Sequence, residues 1–293
     1  MAEVGVHTIA EIRSQAEIWR ASLARSRPAR RAGPVTIIGC GSSYYVALAA
    51  AHAIGATAQP ASEALLYPEV TLPPGGTLVA VSRSGETSEV LAALDVARRR
   101  GLRILGVTCA PEGTLARVAD DVMAFPEAAE ASLVMTRSFT TMLLGLLRWG
   151  GAPFDLTVPP DPGPREADRL VYLGAGPRFG LAMEGALKVQ EMSLTPAVAY
   201  HPLEFRHGPI ALVGPGTLVV LLRGEAGRVQ ETKLADELRK RGAEVLEVEA
   251  GLPAATVPLQ LLGYHRAIAR GIDCDEPATL SRCVKLDLGG NDR

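Results

Sequence analysis

A run of nine residues decides the fold: Val35-Thr36-Ile37-Ile38-Gly39-Cys40-Gly41-Ser42-Ser43. Its apolar and β-branched beginning predicts a short buried strand, and its two glycines predict a tight turn. Residues 45–54 follow, and their small side chains predict a helix. A strand that passes through a glycine loop straight into a helix is typical of α/β proteins.

The same order repeats along the first half of the chain. A helix is predicted at residues 8–24 and a basic linker at 25–34. Further elements are predicted as strand 77–81, loop 82–87, helix 88–100, strands 102–108 and 122–125, and helix 138–149. Strands that alternate with helices indicate βαβ units, so we expect a parallel sheet.

A second copy of the pattern follows a Pro/Gly-rich stretch at residues 150–168. Residues 35–41 match residues 170–176 at an offset of 135, and residues 78–85 match residues 218–224 at an offset near 140. Near-equal offsets indicate an internal duplication. We therefore expect an α/β protein with two tandem domains, each a parallel sheet flanked by helices. The predicted domains are residues 1–152, with the N-terminal helix, and residues 165–293, joined by a linker at 153–164.

Composition narrows the class of protein. The 293 residues are 47% hydrophobic and 21% charged, with a formal net charge of −2, so no global field favours nucleic acid or an anionic membrane. No stretch approaches 18 uninterrupted apolar residues, and the charged first 20 residues resemble neither a secretory signal nor an anchor. The four cysteines lack zinc-site spacing and predict no disulfide framework. We expect a cytoplasmic protein without membrane or nucleic-acid partners.

The polar loop Ser82-Arg83-Ser84-Gly85-Glu86-Thr87 lies between a predicted strand and a predicted helix. Its hydroxyls and the amides of a helix N-terminus can point at one anion, and Ser42 and Ser43 open a second helix at the same sheet edge. An N-cap with ordinary loop serines is the alternative. The two loops together favour a phosphate site. In the second copy Leu222-Arg-Gly-Glu-Ala-Gly227 lacks the hydroxyls, so we expect phosphate binding in the first domain only.

Titratable residues concentrate in the second copy. Glu184, Lys188 and Glu191 fall on one face of the helix after Gly176. A solvated face is the usual explanation, but the rest of this helix is apolar and small, which predicts burial. Buried charges are costly unless paired or functional. Further on, Glu204-Phe-Arg-His207-Gly-Pro209 adds an acid and a histidine. A lone histidine is more often structural, although this one lies in the same half as a plausible general base.

Five motifs in this order resemble the sugar isomerase (SIS) domain family, and the resemblance extends from about residue 8 to Lys285. The motifs are Gly39-Cys-Gly-Ser-Ser-Tyr44, Ser82-Arg-Ser-Gly-Glu-Thr87, Thr136-Arg-Ser-Phe-Thr-Thr141, Leu181-Ala-Met-Glu-Gly-Ala-Leu-Lys-Val-Gln-Glu191 and Glu204-Phe-Arg-His-Gly-Pro209. More closely, the chain is similar to the isomerase half of glucosamine-6-phosphate synthases and to the related glucosamine-6-phosphate deaminases.

The resemblance implies two flavodoxin-like SIS domains, a homodimer with shared active sites, a sugar 6-phosphate substrate, and no metal or organic cofactor. The implied phosphate contacts are Ser43, Ser82, Arg83, Ser84 and Thr87. Glu191 matches the base that moves a proton between C1 and C2, and Lys188 matches a lysine beside it. His207 matches the ring-opening histidine, which in this family reaches in from the neighbouring subunit. Glu204 is a further candidate for substrate contact.

Two departures from the family pattern bear on the chemistry. The synthase has a nucleophilic cysteine after its initiator Met, where this chain has Ala2, so we expect no glutamine hydrolysis. Arg282 stands at the position of the family's Schiff-base lysine, and a guanidinium is not a usable amine nucleophile. Lys285 lies three residues further on and could substitute. Arg282 and Lys285 therefore remain candidate substrate contacts.

These residues predict a phosphosugar isomerase/deaminase that converts glucosamine 6-phosphate to fructose 6-phosphate and ammonia. Arg282 fits this reaction because deamination leaves the imine on the substrate itself. One alternative is an aldose–ketose isomerase without ammonia release, and another is a non-catalytic sugar-phosphate sensor. Such sensors usually carry a helix-turn-helix, for which the residues before the first strand leave no room. Glu191 and His207 also favour catalysis.

Overall fold

The structure is a computed structural model that describes residues 4–30, 32–278, 280–281 and 286. In chain order its elements are α1 (Val6–Leu23), β1 (Val35–Gly39), α2 (Ser42–Ile54), β2 (Thr57–Pro60), α3 (Ala61–Leu66), α4 (Pro68–Thr71), β3 (Thr77–Val81), α5 (Ser88–Arg99), β4 (Arg103–Thr108), α6 (Thr114–Val118), β5 (Asp121–Ala124), α7 (Arg137–Gly150), β6 (Arg169–Gly174), α8 (Pro177–Ser193), β7 (Ala197–Tyr200), β8 (Thr217–Leu222), α9 (Arg228–Lys240), β9 (Glu244–Val248) and α10 (Leu252–Ala269). No helix within the described ranges is long and apolar enough to span a membrane.

Two parallel sheets organise the chain, which confirms the predicted α/β class. The first has the order β2-β1-β3-β4-β5 and the second the order β7-β6-β8-β9. The first order is that of flavodoxin-like sheets. The chain groups into two compact units. We call Glu17–Ala129 with Thr141–Ala152 and Ser281–Arg293 the first-sheet unit, and Met1–Ala16 with Glu130–Thr140 and Pro153–Leu280 the second-sheet unit.

The central strands of the first sheet are buried along their whole length. β1 and β3 have no exposed residue, and Ile38 and Leu78 belong to a core cluster with Val90 and Leu94 of α5. Burial on both faces explains why these strands read as continuous apolar runs. Ile38 pairs with Ala80 in parallel register, so the loops after β1 and β3 leave the sheet at the same edge.

The second sheet repeats this local geometry at the offset that indicated a duplication. Gly41 before α2 has φ 54° and ψ −130°, and Gly176 before α8 has φ 56° and ψ −130°. Gly39 and Gly174 both end a central strand against the first turn of the next helix. A Cβ atom on Gly39 would lie 2.5 Å from the Ser43 carbonyl carbon. Glycine is therefore required at both turns for the same steric reason.

The structure differs from the sequence expectation mainly at the sheet edges. The edge strands β2 and β7, and the short helices α3, α4 and α6, are only four to six residues long, which is too short for a recognisable periodic pattern. In β2, for example, no residue is fully buried. The helix expected at residues 45–54 begins earlier, so Ser42 and Ser43 form its first turn.

Candidate active site

The loop after β3 curls so that two hydroxyl groups meet. Ser82, 1% exposed, accepts a hydrogen bond from the Gly85 amide at 3.1 Å, and its Oγ lies 2.9 Å from Thr87 Oγ1. Gly85 has φ +70°, a conformation that side chains other than glycine rarely adopt. The tight turn at Gly85 thus places Ser82 and Thr87 side by side.

Contacts on two sides hold this loop in place. Ser84 Oγ accepts a hydrogen bond from the Glu86 amide at 3.2 Å. The Glu86 carboxylate accepts hydrogen bonds from the amide and hydroxyl of Thr114, at 2.7 and 2.9 Å. The Arg83 carbonyl accepts one from the amide of Cys109 at 3.1 Å. The loop is therefore rigid enough to present its hydroxyls without a large ordering cost.

Two helices start at this edge of the first sheet without a side-chain cap. Thr87 precedes α5 and Gly41 precedes α2, and neither makes a side-chain capping hydrogen bond. Ser42 and Ser43, each 6% exposed, lie in the first turn of α2. Uncapped N-terminal amides and the helix dipole favour an anion. All six predicted phosphate ligands thus belong to the first-sheet unit, on the loop after β3 and in the first turn of α2: Ser82, Arg83, Ser84 and Thr87, and Ser42 and Ser43.

The corresponding loop of the second sheet holds a carboxylate of its own. The Gly224 amide donates to Glu231 Oε2 at 3.0 Å, and Glu231 is only 2% exposed. Arg178, which matches Ser43 at the offset of 135, lies close enough to interact electrostatically with Glu231. Burial lowers the pKa of Arg178, and Glu231 opposes that effect. A side chain of the chain itself therefore takes the place that an anion would need.

Lys188 of α8 lies between two carboxylates of the same helix. Its Nζ is 3.4 Å from Glu184 Oε1 and donates a hydrogen bond to Glu191 Oε2. The side chains of Glu184 and Lys188 are fully buried, while that of Glu191 is 20% exposed. The burial predicted for this helix face is confirmed, and the charges on it are paired as buried charges must be.

The charge of Lys188 is stabilised in this position. Burial by itself lowers the pKa of an amine, but the carboxylates of Glu184, Glu191 and Glu130 together raise the pKa of Lys188 above its ordinary value. Lys188 is therefore an ammonium at neutral pH. It holds one oxygen of Glu191 by a charged hydrogen bond, so the partly exposed carboxylate has a defined orientation.

Glu130 is a member of this group that the sequence interpretation missed. Its Oε1 accepts hydrogen bonds from the amide of Thr136 at 2.6 Å and the amide of Ser138 at 3.0 Å, and its Oε2 accepts one from Ser138 Oγ at 2.6 Å. The Thr136–Thr141 motif was recognised, but the acid six residues before it was not. An acid six residues before Thr136 does not form a capping box, so no local sequence signal pointed to Glu130.

The remaining predicted residues do not join this cluster. His207 is exposed, follows the short 3₁₀ helix Glu204–Arg206, and its amide donates to the Glu204 carbonyl at 2.9 Å. Among the residues that the structure describes, no hydrogen bond or ion pair joins the side chain of Glu204 or of His207 to Lys188 or Glu191. Arg282 and Lys285 lie outside the described residues. Among the described residues, no group of three His, Cys, Asp or Glu side chains is arranged to hold a metal ion.

Comparison with known proteins places the chain in a family. The SIS domain family profile matches residues 30–147 and 165–248, so the chain belongs to the SIS domain family. A glucosamine-6-phosphate deaminase structure from Thermotoga maritima is 33% identical, with a TM-score of 0.81, over 96% of this chain and 100% of that one. A tagatose-6-phosphate ketose/aldose isomerase structure from Escherichia coli has a TM-score of 0.77 at 22% identity, which shows the fold alone.

Curated relatives give the same assignment. A glutamine–fructose-6-phosphate aminotransferase from Shewanella oneidensis is 30% identical over 86% of this chain and 52% of its own length. One from Sulfurisphaera tokodaii is 29% identical over 88% of this chain and 51% of its own length. The chain thus spans about half the length of the curated relatives it matches. The resemblance to the SIS domain family is confirmed, and the enzyme prediction is confirmed at the level of a family that contains phosphosugar isomerases and a glucosamine-6-phosphate deaminase.

Proposed function

We propose that this protein is an amino-sugar-phosphate isomerase/deaminase that converts glucosamine 6-phosphate and water to fructose 6-phosphate and ammonia. The proposal includes two tandem flavodoxin-like SIS domains with the sequence boundaries predicted above, and a cytoplasmic location. Within the first of these, Met1–Ala16 and Glu130–Thr140 group with the second sheet. The serine loops of the first-sheet unit bind the phosphate, and the charged cluster of α8 moves the proton.

The observation that carries the proposal is the excess of carboxylates around Lys188. Glu184 Oε1 lies 3.4 Å from Lys188 Nζ, Glu191 accepts a hydrogen bond from it, and the charge of Glu130 acts on the same ammonium group. Such a negative environment attracts an ammonium substituent and gives no comparable advantage to a neutral hydroxyl. An amino sugar therefore fits the cluster better than a plain hexose phosphate.

Glu191 is the group that we assign to proton transfer. Its Oε2 is engaged by Lys188, and its side chain is partly exposed, so Oε1 is the atom available to a substrate. In the open-chain amino aldehyde, Glu191 takes the proton from C2 while the C1 carbonyl oxygen gains a proton and becomes a hydroxyl. Glu191 then returns its proton to C1 as the amine nitrogen loses one. The double bond then lies between C2 and nitrogen, and water releases ammonia from this imine to leave the C2 ketone. A carboxylate oriented by a fixed cation is suited to such a shuttle.

The C-terminal segment supports deamination over amino transfer. Arg282 occupies the position at which the family resemblance expects a Schiff-base lysine, and an arginine stays protonated. Deamination places the imine on the substrate nitrogen, so the enzyme needs no covalent amine. The deaminase from Thermotoga maritima, which this chain matches over its full length, supports the same choice.

The proposal also assigns His207 to the active site of a partner subunit in a homodimer. The imidazole is exposed and lies on a loop next to a 3₁₀ helix, where a second chain could reach it. Ring opening of the bound sugar is the step that we assign to it. Glu204, one turn before His207 and also exposed, belongs to the same surface.

A panel of hexose, hexosamine and N-acetylhexosamine 6-phosphates tests the function. We expect ammonia and ketose only from the hexosamine phosphate. Glu191→Gln should lower the rate by about a hundredfold or more without loss of binding, whereas the exposed control Glu166→Gln should leave it unchanged. Combining Ser82→Ala with Ser84→Ala should weaken binding well over tenfold, since hydrogen bonds to charged groups contribute about 1.5–3 kcal/mol each.

Three results would contradict the proposal. Ketose formation from a hexose phosphate without ammonia release indicates a plain aldose–ketose isomerase. Tight binding of a sugar phosphate with no turnover of any panel member indicates a sensor. A Glu191→Gln variant that exchanges the C2 proton with deuterated solvent at the wild-type rate shows that another residue is the base.

A further inference from the structure

Helix α1 carries two buried polar side chains that the proposed chemistry does not use. Glu11 is 3% exposed and Gln15 is 1% exposed, and they lie one helical turn apart on the same face. Burying a carboxylate and an amide is costly unless their hydrogen bonds are satisfied. Their partners therefore show what this face of the helix holds.

Glu11 accepts hydrogen bonds from the segment that follows Glu130. Its Oε1 accepts hydrogen bonds from the amides of Ala131 and Ser132, at 2.6 and 3.2 Å, and its Oε2 accepts one from Ser132 Oγ. Three donors from two consecutive residues thus converge on one buried carboxylate. Hydrogen bonds to a charged acceptor are about twice as strong as neutral ones, so this contact fixes the backbone directly beside Glu130.

Gln15 is connected by hydrogen bonds to the other end of the same segment, where α7 begins. Its Oε1 accepts a hydrogen bond from Thr140 Oγ1 at 2.6 Å, and its Nε2 donates to Gln260 Oε1 of α10 at 2.8 Å. Gln260 in turn donates to the Thr136 carbonyl at 3.0 Å. The amide of Thr136 donates to Glu130, so this chain of hydrogen bonds ends on the acid itself.

The first turn of α1 is fixed by a residue that contacts the same segment. The Asp275 carboxylate accepts hydrogen bonds from the amides of His7 and Thr8, at 3.0 and 2.7 Å. The Asp275 carbonyl accepts one from the Leu133 amide at 2.7 Å. The beginning of the helix and the segment after Glu130 are therefore attached to one residue.

The segment also packs against α8 near the proposed base. Val134 lies in a core cluster with Met192, which follows Glu191 directly in α8. The electrostatic effect of Glu130 on Lys188 agrees with this placement. Residues 130–136 are thus held by α1 and α10 and contact α8.

We propose that Glu11 and Gln15 are positioning residues, which hold residues 130–136 so that the Glu130 carboxylate faces Lys188. Neither residue touches the substrate. This inference rests on the proposed function for its kinetic consequence. Its structural part, the fixing of the segment by α1, can be measured without any activity.

Glu11→Ala should lower kcat for hexosamine 6-phosphate turnover by on the order of tenfold to a hundredfold, because small displacements of catalytic groups cost that much. KM should change less than threefold, since the phosphate loops belong to the other unit. Glu11→Gln keeps an acceptor for both amides and should recover most of kcat. Glu17→Ala removes an exposed acid from the same helix and is the matched control.

Hydrogen exchange of the peptide that covers residues 128–140 provides the second measurement. Glu11→Ala should exchange the amides of Ala131 and Ser132 faster than the wild type, and Glu17→Ala should not. If Glu11→Ala does not fold, Ser132→Ala removes one donor, leaves two amides on the carboxylate, and should show a smaller change of the same kind.

The outcomes separate the two proposals. Faster exchange with unchanged kcat overturns the positioning role, and so does a fall in kcat that Glu11→Gln fails to restore. Unchanged exchange in Glu11→Ala overturns the structural assignment. If the wild type turns over no member of the sugar-phosphate panel, the proposed function fails, whereas the exchange result still decides whether α1 holds the segment.

Discussion

Lys188→Met is the substitution for which the structure predicts the largest loss of stability. The lysine side chain is fully buried, and so is that of Glu184, whose Oε1 lies 3.4 Å from Nζ. Methionine keeps most of the volume but removes the charge. Glu184 is then left as a buried carboxylate without its cation, close to the second carboxylate of Glu191.

Breaking a buried ion pair by removal of one partner typically costs about 3–5 kcal/mol. For a unit of this size, about 2–4 °C of Tm is lost per kcal/mol, so Tm should fall by roughly 6–20 °C. Lys233, an exposed lysine of the same unit, provides a control, since Lys233→Met should change stability by less than about 0.5 kcal/mol.

Urea unfolding of a double-mutant cycle isolates the interaction. Glu184→Gln combined with Lys188→Met removes both charges, so the double variant should be more stable than the sum of the single changes predicts, by about 1 kcal/mol or more. Additive losses would refute the idea that the two charges compensate each other. A Lys188→Met variant as stable as Lys233→Met would refute the electrostatic reasoning altogether.

The pH dependence of stability gives an independent check. The folded state raises the pKa of Lys188 above its ordinary value of 10.5. The folded protein therefore holds this proton more tightly than the unfolded chain does, and the contribution is fully present below pH 10.5. It is lost as pH rises through the folded value. Wild type should lose stability in strongly alkaline solution more steeply than Lys188→Met, in urea unfolding followed from neutral to alkaline pH.

Two further predictions follow from the duplicated turn and from the exposed histidine. Gly39→Ala and Gly174→Ala meet equivalent backbone clashes, at 2.5 Å and 2.3 Å, so both should lower Tm, but only Gly39→Ala should weaken sugar-phosphate binding. Equal affinities of the two variants, measured by calorimetry, would argue against a phosphate site confined to the first-sheet unit. Mixing inactive Glu191→Gln with inactive His207→Ala should restore activity, up to half of wild type per heterodimer. In each heterodimer one shared site carries both substitutions and the other site carries neither. Background activity despite demonstrated subunit exchange would place His207 within its own chain or outside the reaction.

Local sequence patterns were sufficient for the central elements of both sheets. The continuous apolar runs of β1, β3, β6 and β8 predicted their strands because parallel strands are buried on both faces. Glycine at positions 39 and 41 predicted the turn into α2 because only glycine fits there. The spacing of Glu184, Lys188 and Glu191 placed three charges on one face of α8, since helical geometry fixes that relation within a single element.

Contacts between distant parts of the chain are what the sequence alone could not supply. Glu11 and Ala131 are 120 residues apart, and nothing in the pattern near either residue predicts their hydrogen bond. The role of Glu130 beside Lys188, and the filling of the second loop by Glu231, became visible only once packing had brought these residues together. Periodicity records which face of an element is buried, whereas the identity of the buried partner depends on how loops and helices pack, and this is decided by the tertiary structure.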